Sequence, residues 1–563
     1  MSQFTVTVLD TTGIQLYIFG SNRLRENIGG SYLVSQATDN WVRDALNQLK
    51  AEIQQEVYAF DPRQHQPEAT PRIEIEEDRL AAELVYAGGG NTVLLFSEEQ
   101  YAVQFTQILS KHILEEAPGI NLVAVHKEFN WEDENLYAVI QKLMKTELDA
   151  KKRSRIPSAP LLGLGVTASC RSTQLVAVGM SQQFDDEDDE PYLISREIDR
   201  KRQAVNSANQ ELRDLFLSSE NSANYEFPRR LDFMGRSEGD SSYVAIVHAD
   251  GNGMGKRFQE FGKDRGNRDY IIAMRQLSYS VNQAGINALK TVVDTLVKSI
   301  EVDRDGKKRV KGQFEIKENY LPFRPLVYGG DDVTFVCDGR LGLELAAIYL
   351  EELENKPIAD SKTLNACAGI CVVKTHYPFA RAYQLSEDLC RNAKRFVKDE
   401  DKGYFSALDW HLAASGLSGS ISEIRDREYQ VPTGSLSMRP ISLKKEPYGD
   451  WRTWEGFTQV VQQFNEDEEW KDRRNKVIAL REVLRQGIEA TQKFLENYRI
   501  KNKQLPTFPE CSGQSKSLAE KGWLSCDGKE VCGYFDAIEA MEFYISLKEG
   551  SNANLQTENS TAE

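Results

Sequence analysis

The sequence predicts an α/β protein of the α+β kind, with two ferredoxin-like units in one chain, a helical linker between them and a helical domain towards the C-terminal end. Two observations carry this expectation. The order strand–helix–strand–strand–helix–strand can be read twice along the chain, which indicates an internal duplication. Apolar residues at helical spacing then fill the segment after the second reading. A chain of 563 residues with 40% hydrophobic content has enough material for two to four domains.

The first unit is expected over residues 1–180. Phe4 to Leu9 alternates like a half-buried strand, and helical patterning runs through Asn22 and again from Ser31 to Leu49. Leu84–Phe96 reads as strand–turn–strand with glycines at its tip. Gln100–Leu114 reads as helix, Asn121–His126 as strand and Asp133–Leu148 as helix. Residues 181–240 read as an acidic loop and helical linker. Phe184–Glu190 (FDDEDDE) is a like-charge block that cannot bury itself, and a polar helix runs from about Ser195 to Leu217.

The second unit is expected over 241–415. Tyr243–Ala249 is an apolar strand, and a long helix from about Asp269 to Ile300 carries Tyr270, Met274, Leu277, Val281, Ala284, Ala288, Val292 and Leu296 at helical spacing. The basic stretch Lys307, Lys308, Arg309 and Lys311 intervenes, read either as a solvated loop or as a phosphate contact with RNA. Strands follow on either side of Asp331–Asp332, then a helix from Leu341, a strand Asn365–Lys374, a helix Phe379–Lys398 and a strand Tyr404–Trp410. Residues 430–548 read as a helical domain (Val477, Leu480, Leu484, Ile488), and 549–563 as a disordered polar tail.

Bulk properties exclude several classes. No window of about 20 apolar residues exists, so no membrane span is expected. Met1–Asp10 has no basic region ahead of an apolar run, so no secretory signal is expected. Eight sparse cysteines, mostly in apolar strand-like stretches, point to a reducing cytoplasm. A net charge of −17 lacks the basic footprint of a protein that grips nucleic acid alone. Any such contact is local or shared with partner subunits, and the acidity otherwise serves solubility.

The chemistry concentrates in two motifs. In Tyr328-Gly329-Gly330-Asp331-Asp332, glycines between two apolar strands allow a tight reversal that exposes both carboxylates. Alone, this is also what an ordinary Gly-Asp turn looks like. Asp250, however, ends an apolar strand and precedes Gly251-Asn252-Gly253-Met254-Gly255-Lys256. In a β-α-β-β sheet the first strand can neighbour the hairpin, which would set Asp250 beside Asp331 and Asp332. Three such carboxylates suit two Mg²⁺ or Mn²⁺ ions about 3.5–4 Å apart. Gly251 is counted with them at the metal site. The glycine-rich run opening a helix is a natural triphosphate cradle, through the backbone N–H groups of Gly251, Asn252, Gly253 and Gly255, with Gly329 and Gly330 opposite. Lys394, read as following a helix and preceding a strand, either reaches the phosphates or is a solvated lysine.

At these residues the chain resembles the large polymerase/cyclase-like subunit of type III CRISPR effector complexes and shares the wider GGDEF-type palm. In the first unit the resemblance rests on Asp10–Phe19 (DTTGIQLYIF), Ser21–Arg25 (SNRLR) and Tyr86–Asn91 (YAGGGN). In the second it rests on Ala249–Gly255 (ADGNGMG), Gly329–Asp332 (GGDD), Cys367–Ile370, Ala393-Lys394 and Ser406–Trp410, and further on Met438-Arg439-Pro440 and Leu480-Arg481. The resemblance implies joining of ATP into cyclic oligoadenylate messengers in antiviral defence. Nucleoside triphosphates would then be its ligands, and other effector subunits and guide or target RNA its partners, with no membrane. It carries metal binding over to Asp250, Asp331 and Asp332, and triphosphate binding to Lys394. A non-catalytic RNA-scaffold subunit and a cyclic-dinucleotide synthase of GGDEF type stay open as alternatives.

The chain also departs from the family pattern. Many members begin with a His-Asp hydrolase domain that cuts single-stranded DNA, whereas this sequence begins directly with the first palm-like unit. None of the six histidines (His65, His112, His126, His248, His376, His411) precedes an aspartate. No CxxC pair occurs, and Cys511, Cys526 and Cys532 have no histidine nearby. Aligning Gly88-Gly89-Gly90-Asn91 with Gly329-Gly330-Asp331-Asp332 leaves Asp10 as the sole carboxylate of the first unit. A silent first site is expected, serving either to hold an acceptor nucleotide or only to pack.

Overall fold

The computed structural model describes residues 3–61, 74–78, 80–88, 90–154, 163–184, 190–234, 242–399, 404–413, 419–446, 451–471, 473–498, 500, 504–509, 514–526 and 528–548. His65, Gly89, the acidic run at 185–189, Cys511 and the tail from 549 lie outside the described residues.

The fold is mixed α/β. The first half begins with β1 (Gln3–Thr12), α1 (Ile14–Phe19), α2 (Leu24–Thr38), α3 (Asn40–Ile53), β2 (Val57–Tyr58) and α4 (Ile75–Asp78). It continues with β3 (Ala82–Gly88), β4 (Asn91–Phe96), α5 (Glu99–Glu116), β5 (Asn121–Asn130), α6 (Leu136–Leu143), a π-turn at Met144–Leu148 and α7 (Asp149–Ser154). Its sheet has the order β2-β3-β4-β1-β5. β1 is antiparallel to both β4 and β5, as expected of a ferredoxin-like unit. Phe4, Val6 and Val8 point to one face and pack on α6; Leu94 and Phe96 meet α3 and α5 on the other. The patterning from Ser31 to Leu49 resolves into two helices broken at Asp39, whose φ/ψ of −132°/−81° is not helical.

A small hairpin, β6 (Gly179–Met180) with β7 (Leu193–Ile194), leads into α8 (Arg196–Phe216), the polar helix expected from the sequence. Its Ser195 cap accepts a hydrogen bond from the Ile198 N–H. α8 presses on α2 so closely that a Cβ on Gly29 would lie 1.8 Å from the Lys201 carbonyl oxygen.

The second half contains β8 (Tyr243–Gly251), α9 (Met254–Gly262), α10 (Asn267–Lys298), β9 (Ile300–Val302), β10 (Lys308–Val310) and β11 (Phe314–Glu315). Then come β12 (Phe323–Val327), β13 (Asp332–Asp338), α11 (Gly342–Leu353), β14 (Ala366–Lys374), α12 (Phe379–Asp399) and β15 (Ala407–Leu412). After α13 (Ile421–Glu428), β16 (Gln430–Val431) and β17 (Gly434–Ser435), β18 (Ile441–Ser442) closes a six-stranded sheet of order β12-β13-β8-β14-β15-β18. Its first four positions, β12-β13-β8-β14, repeat β3-β4-β1-β5 of the first sheet: hairpin strands, first strand, then the strand that follows the hairpin and a helix. Val244 and Ile246 face α12, while Ala245, Val247 and Ala249 face α10 and α11.

Two expectations need correction. The basic stretch at 307–311 is no simple loop: β9, β10 and β11 form a three-stranded sheet in which Lys307 pairs with Glu315 at 2.8 Å and Arg309 with Asp303 at 3.0 Å. The segment 430–548 is not wholly helical either. Beside α14 (Trp454–Glu466), α15 (Arg474–Leu484), α16 (Ile488–Asn497) and α17 (Gln514–Lys521), it carries β19 (Trp523–Cys526) and β20 (Lys529–Cys532), followed by α18 (Phe535–Ala540). These strands complete a sheet of order β16-β17-β20-β19. Among the described residues no helix is long and apolar enough to cross a membrane.

The halves are joined through α10. The fully buried Glu83 of β3 accepts from Arg268 at 2.7 Å and from Arg275 at 2.8 Å. Burial alone would raise the Glu83 pKa, but the two arginines more than offset it and the net shift is downward. The C-terminal segment is pinned by Arg439, whose buried guanidinium meets Asp536 at 2.9 Å and lies over the Trp410 and Tyr429 rings.

Candidate metal centre

β8 and β13 run antiparallel in a register that sets Asp332 directly opposite Asp250 and Thr334 opposite His248. Side chains two apart on a strand share a face. His248, Asp250, Asp332 and Thr334 therefore form a square on the α12 side of the sheet. One ligand atom from each of His248, Asp250 and Asp332 lies within 4.8 Å of the other two.

The hairpin tip is made by Gly329 (φ +102°) and Gly330 (φ +84°), a left-handed backbone that glycine alone adopts freely. The tip rests on α10, where a Cβ on Gly285 would come 2.7 Å from the Gly330 carbonyl oxygen. Asp331 stands outside the tight group of three and lies against Gly251. A Cβ there would be 2.8 Å from that of Asp331, so the end of β8 must be glycine.

The glycine-rich run turns from β8 into α9 as expected. The Asn252 N–H donates to the Asn365 carbonyl at 2.8 Å, and its side-chain amide donates to the Phe405 carbonyl at 3.0 Å. Gly253 (φ +67°) caps the helix, and the exposed ring of Tyr404 lies 2.8 Å from where its Cβ would stand. Gly255 is exposed on the first turn with open space around it. Lys394 needs a correction: it lies inside α12, not beyond its end. From there its ammonium pairs with Asp250 and donates to the Gly251 carbonyl at 3.0 Å.

The electrostatics of the cluster are unbalanced. Burial, then the charge of Asp250, raises the Asp331 pKa. Burial followed by Asp250 and Asp331 pushes Asp332 up to about 8, although its side chain remains open to solvent. Burial opposes the charge on Lys394, but Asp250 outweighs it and the pKa rises, so the ammonium persists. Burial lowers the His248 pKa and favours the neutral ring. Three carboxylates against one ammonium leave an excess of negative charge. With an imidazole nitrogen and a carbonyl beside them, this donor set suits divalent cations.

The structure thus brings together Asp250, Asp332, Lys394 and Gly251, with Asp331, Gly329 and Gly330 at the edge and Asn252, Gly253 and Gly255 leading into α9. Sequence reasoning missed His248, although the alternation along β8 puts it on the face of Asp250. It also missed Tyr404, which no motif marks.

The first sheet repeats the arrangement with different side chains. Asp10 stands opposite Asn91, as Asp250 does opposite Asp332. Lys152 of α7 pairs with Asp10 as Lys394 does with Asp250. Gly90 (φ +82°) precedes Asn91, and the Asn91 side-chain oxygen is buried without a hydrogen bond. Burial raises the Asp10 pKa, partly offset by Lys152. A separate polar cavity of about 350 Å³ lies between α12 and α13, but its Arg425 and Arg439 are already paired with Asp409 and Asp536.

Residues 243–402 match the family model of the Cas10/Cmr2 second palm domain. None of the curated proteins matches the sequence. Among solved structures, Csm1 of T. onnurineus aligns with a TM-score of 0.51 at 12% identity, over 97% of this chain and 70% of that one. A Csm1–Csm4 cassette in complex with pppApApA aligns with 0.50 at 11% identity, over 96% and 69%. An apo Csm1–Csm4 cassette aligns with 0.39 at 12% identity over 71% of this chain, which spans only 53% of that one. At such identities the likeness is one of fold. With the Asp250–Asp332 pair set across β8 and β13, residues 243–402 are similar to the second palm domain of Cas10/Cmr2, and the chain shares its fold with Csm1.

Proposed function

We propose that the chain is a metal-dependent nucleotidyl cyclase that joins ATP into cyclic oligoadenylate messengers for CRISPR-linked defence. One observation carries this reading: Asp250 and Asp332 face each other beside a glycine-rich turn that opens a helix. Asp250, Asp331, Asp332 and the Gly251 carbonyl would hold two Mg²⁺ or Mn²⁺ ions. Bound there, such ions activate a ribose 3′-hydroxyl and stabilise the departing pyrophosphate. The protein's own groups do the positioning. The N–H groups at the start of α9 face the triphosphate, whose charge the helix dipole favours. Gly253 keeps that turn free of side-chain bulk. Lys394 holds Asp250 and the Gly251 carbonyl in place, and with the carboxylates engaged by cations its ammonium is available to the phosphates.

In this reading residues 1–180 are a first palm with a degenerate site, where Gly90 and Asn91 replace Asp331 and Asp332. A lone Asp10 cannot hold two ions, so this palm would help position the acceptor. Residues 181–240 would link the palms, 241–415 form the second palm, and 430–548 a C-terminal domain that includes the short sheet described above. Other effector subunits and guide or target RNA are the proposed partners, and the cytoplasm the proposed location. The Csm1–Csm4 cassette with pppApApA, which shares the fold, supports nucleotides and a second subunit as ligands. The test is incubation of the full chain, alone and with its co-purified partners, with ATP, GTP and Mn²⁺, followed by mass analysis. Cyclic oligoadenylate is expected; a cyclic dinucleotide or no product in either preparation would overturn the assignment.

A further inference from the structure

We propose that His248 is a nitrogen ligand of the second-palm metal centre and tilts it towards Mn²⁺ and Co²⁺ over Mg²⁺. The inference rests on the reading of Asp250 and Asp332 as metal ligands and adds the residue that sets which metal they hold. Three independent features of His248 point the same way.

The first is placement. His248 lies two residues before Asp250 on β8, and a ring nitrogen lies within 4.8 Å of a carboxylate oxygen of both Asp250 and Asp332. The second is orientation. The side chain is buried, with its Nδ1 3.2 Å from the Thr334 hydroxyl. Its ring meets Tyr383 edge-on, with centroids 5.7 Å apart, and Tyr383 is itself stacked on Phe19 at 4.0 Å. A histidine that binds a metal characteristically uses one nitrogen for the ion while a hydrogen bond at the other fixes the tautomer and the ring. In the tautomer whose Nδ1–H donates to the Thr334 hydroxyl, the Nε2 lone pair is left for a cation.

The third is ligand chemistry. Mg²⁺ prefers an all-oxygen shell, and imidazole favours transition metals. A centre with two carboxylates and one imidazole therefore discriminates where an all-carboxylate centre would not. The competing role for His248 is packing alone, as a spacer between Thr334 and Tyr383, and it predicts no bond to the ion.

The two roles separate spectroscopically without reference to turnover. The full-length protein is loaded with one equivalent of Mn²⁺ and examined by pulsed EPR. A ¹⁴N modulation is expected, replaced by a ¹⁵N pattern when the protein is grown on ¹⁵N-histidine. His248→Gln should abolish the modulation while Mn²⁺ still binds. It should weaken Mn²⁺ by at least the roughly tenfold that loss of even an outer-sphere partner produces, and change Mg²⁺ affinity much less. Bound Mn²⁺ without a histidine nitrogen signal in the wild-type protein overturns the proposal. So does a signal that survives His248→Gln. If the variant fails to fold, the isotope label decides alone. Failure of the underlying reading looks different: Mn²⁺ then fails to bind, or binds equally well to the Asp331→Ala/Asp332→Ala protein.

Discussion

Asp332→Asn should stabilise the metal-free protein while removing the proposed nucleotidyl cyclase activity. In the folded chain the Asp332 carboxyl is held above its ordinary range by burial and by Asp250 and Asp331. A carboxyl with a raised folded-state pKa binds more protons folded than unfolded. Stability therefore falls as pH rises from the ordinary carboxylate range near 4 towards 8, and the penalty is complete above that. Because the carboxylate is open to solvent, screening reduces the effect to about 1–2 kcal/mol at pH 8. For a domain of the second palm's size this corresponds to roughly 2–8 °C in melting temperature. The assay is thermal unfolding followed by circular dichroism in EDTA at pH 5 and pH 8. The variant should melt above the wild type at pH 8 and close to it at pH 5. Millimolar Mn²⁺ should reverse the order at pH 8, because a ligand that binds only the folded wild-type site stabilises it by mass action. A variant less stable than the wild type at pH 8 without metal would refute the argument, since Lys394 would then be satisfying the cluster.

Four further outcomes are expected. Asp331→Ala with Asp332→Ala should abolish most product formation, read by mass analysis of the ATP reaction; a wild-type rate would remove the second palm from the chemistry. Gly253→Ala places a Cβ against Tyr404 at a φ of +67°. It should lower stability by about 1 kcal/mol in a chemical melt and raise the KM for ATP more than it lowers kcat. Asp10→Ala should reduce synthesis far less than Asp250→Ala, and Gly90→Leu should weaken use of the acceptor while donor binding, measured with a non-hydrolysable triphosphate, is retained. Charge reversal at Lys307, Lys308 and Arg309 should leave RNA association and its salt slope unchanged, because Lys307 and Arg309 are already paired with Glu315 and Asp303; a slope reduced by about one per reversed charge would identify a phosphate contact.

The centre of the site was legible because it is built from short-range signals. An apolar strand ending in Asp250, a glycine turn ending in Asp331 and Asp332, and the pairing rule for a β-α-β-β unit together set Asp250 beside the hairpin tip, and β8 pairs with β13 with Asp250 opposite Asp332. His248 carried a signal that went unread: the period of two along β8 puts it beside Asp250. The helix read over Phe379–Lys398 matches α12 and contains Lys394, so placing Lys394 after a helix contradicted the patterning itself. Lys152 and Tyr404 have no local mark, since each matters only through a chain-distant neighbour, Asp10 or Gly253. The C-terminal sheet was hidden for the same reason. Its strands are two to four residues long, and Gly434 pairs with Glu530, so no window of sequence contains the partner.

The 32-residue α10 acts as a beam shared by two structures. Near its start Arg268 and Arg275 are locked to Glu83 of the first sheet, and ten residues beyond Arg275, about 15 Å along the axis, Gly285 is the shelf under Gly330. A tilt of the first sheet cannot be absorbed between these points without bending a continuous helix. It must either break the buried ion pairs or move the shelf. The height of the Asp331–Asp332 tip above the centre is therefore referenced to the opposite half of the molecule, and whatever grips that half holds an adjustment screw for the tip.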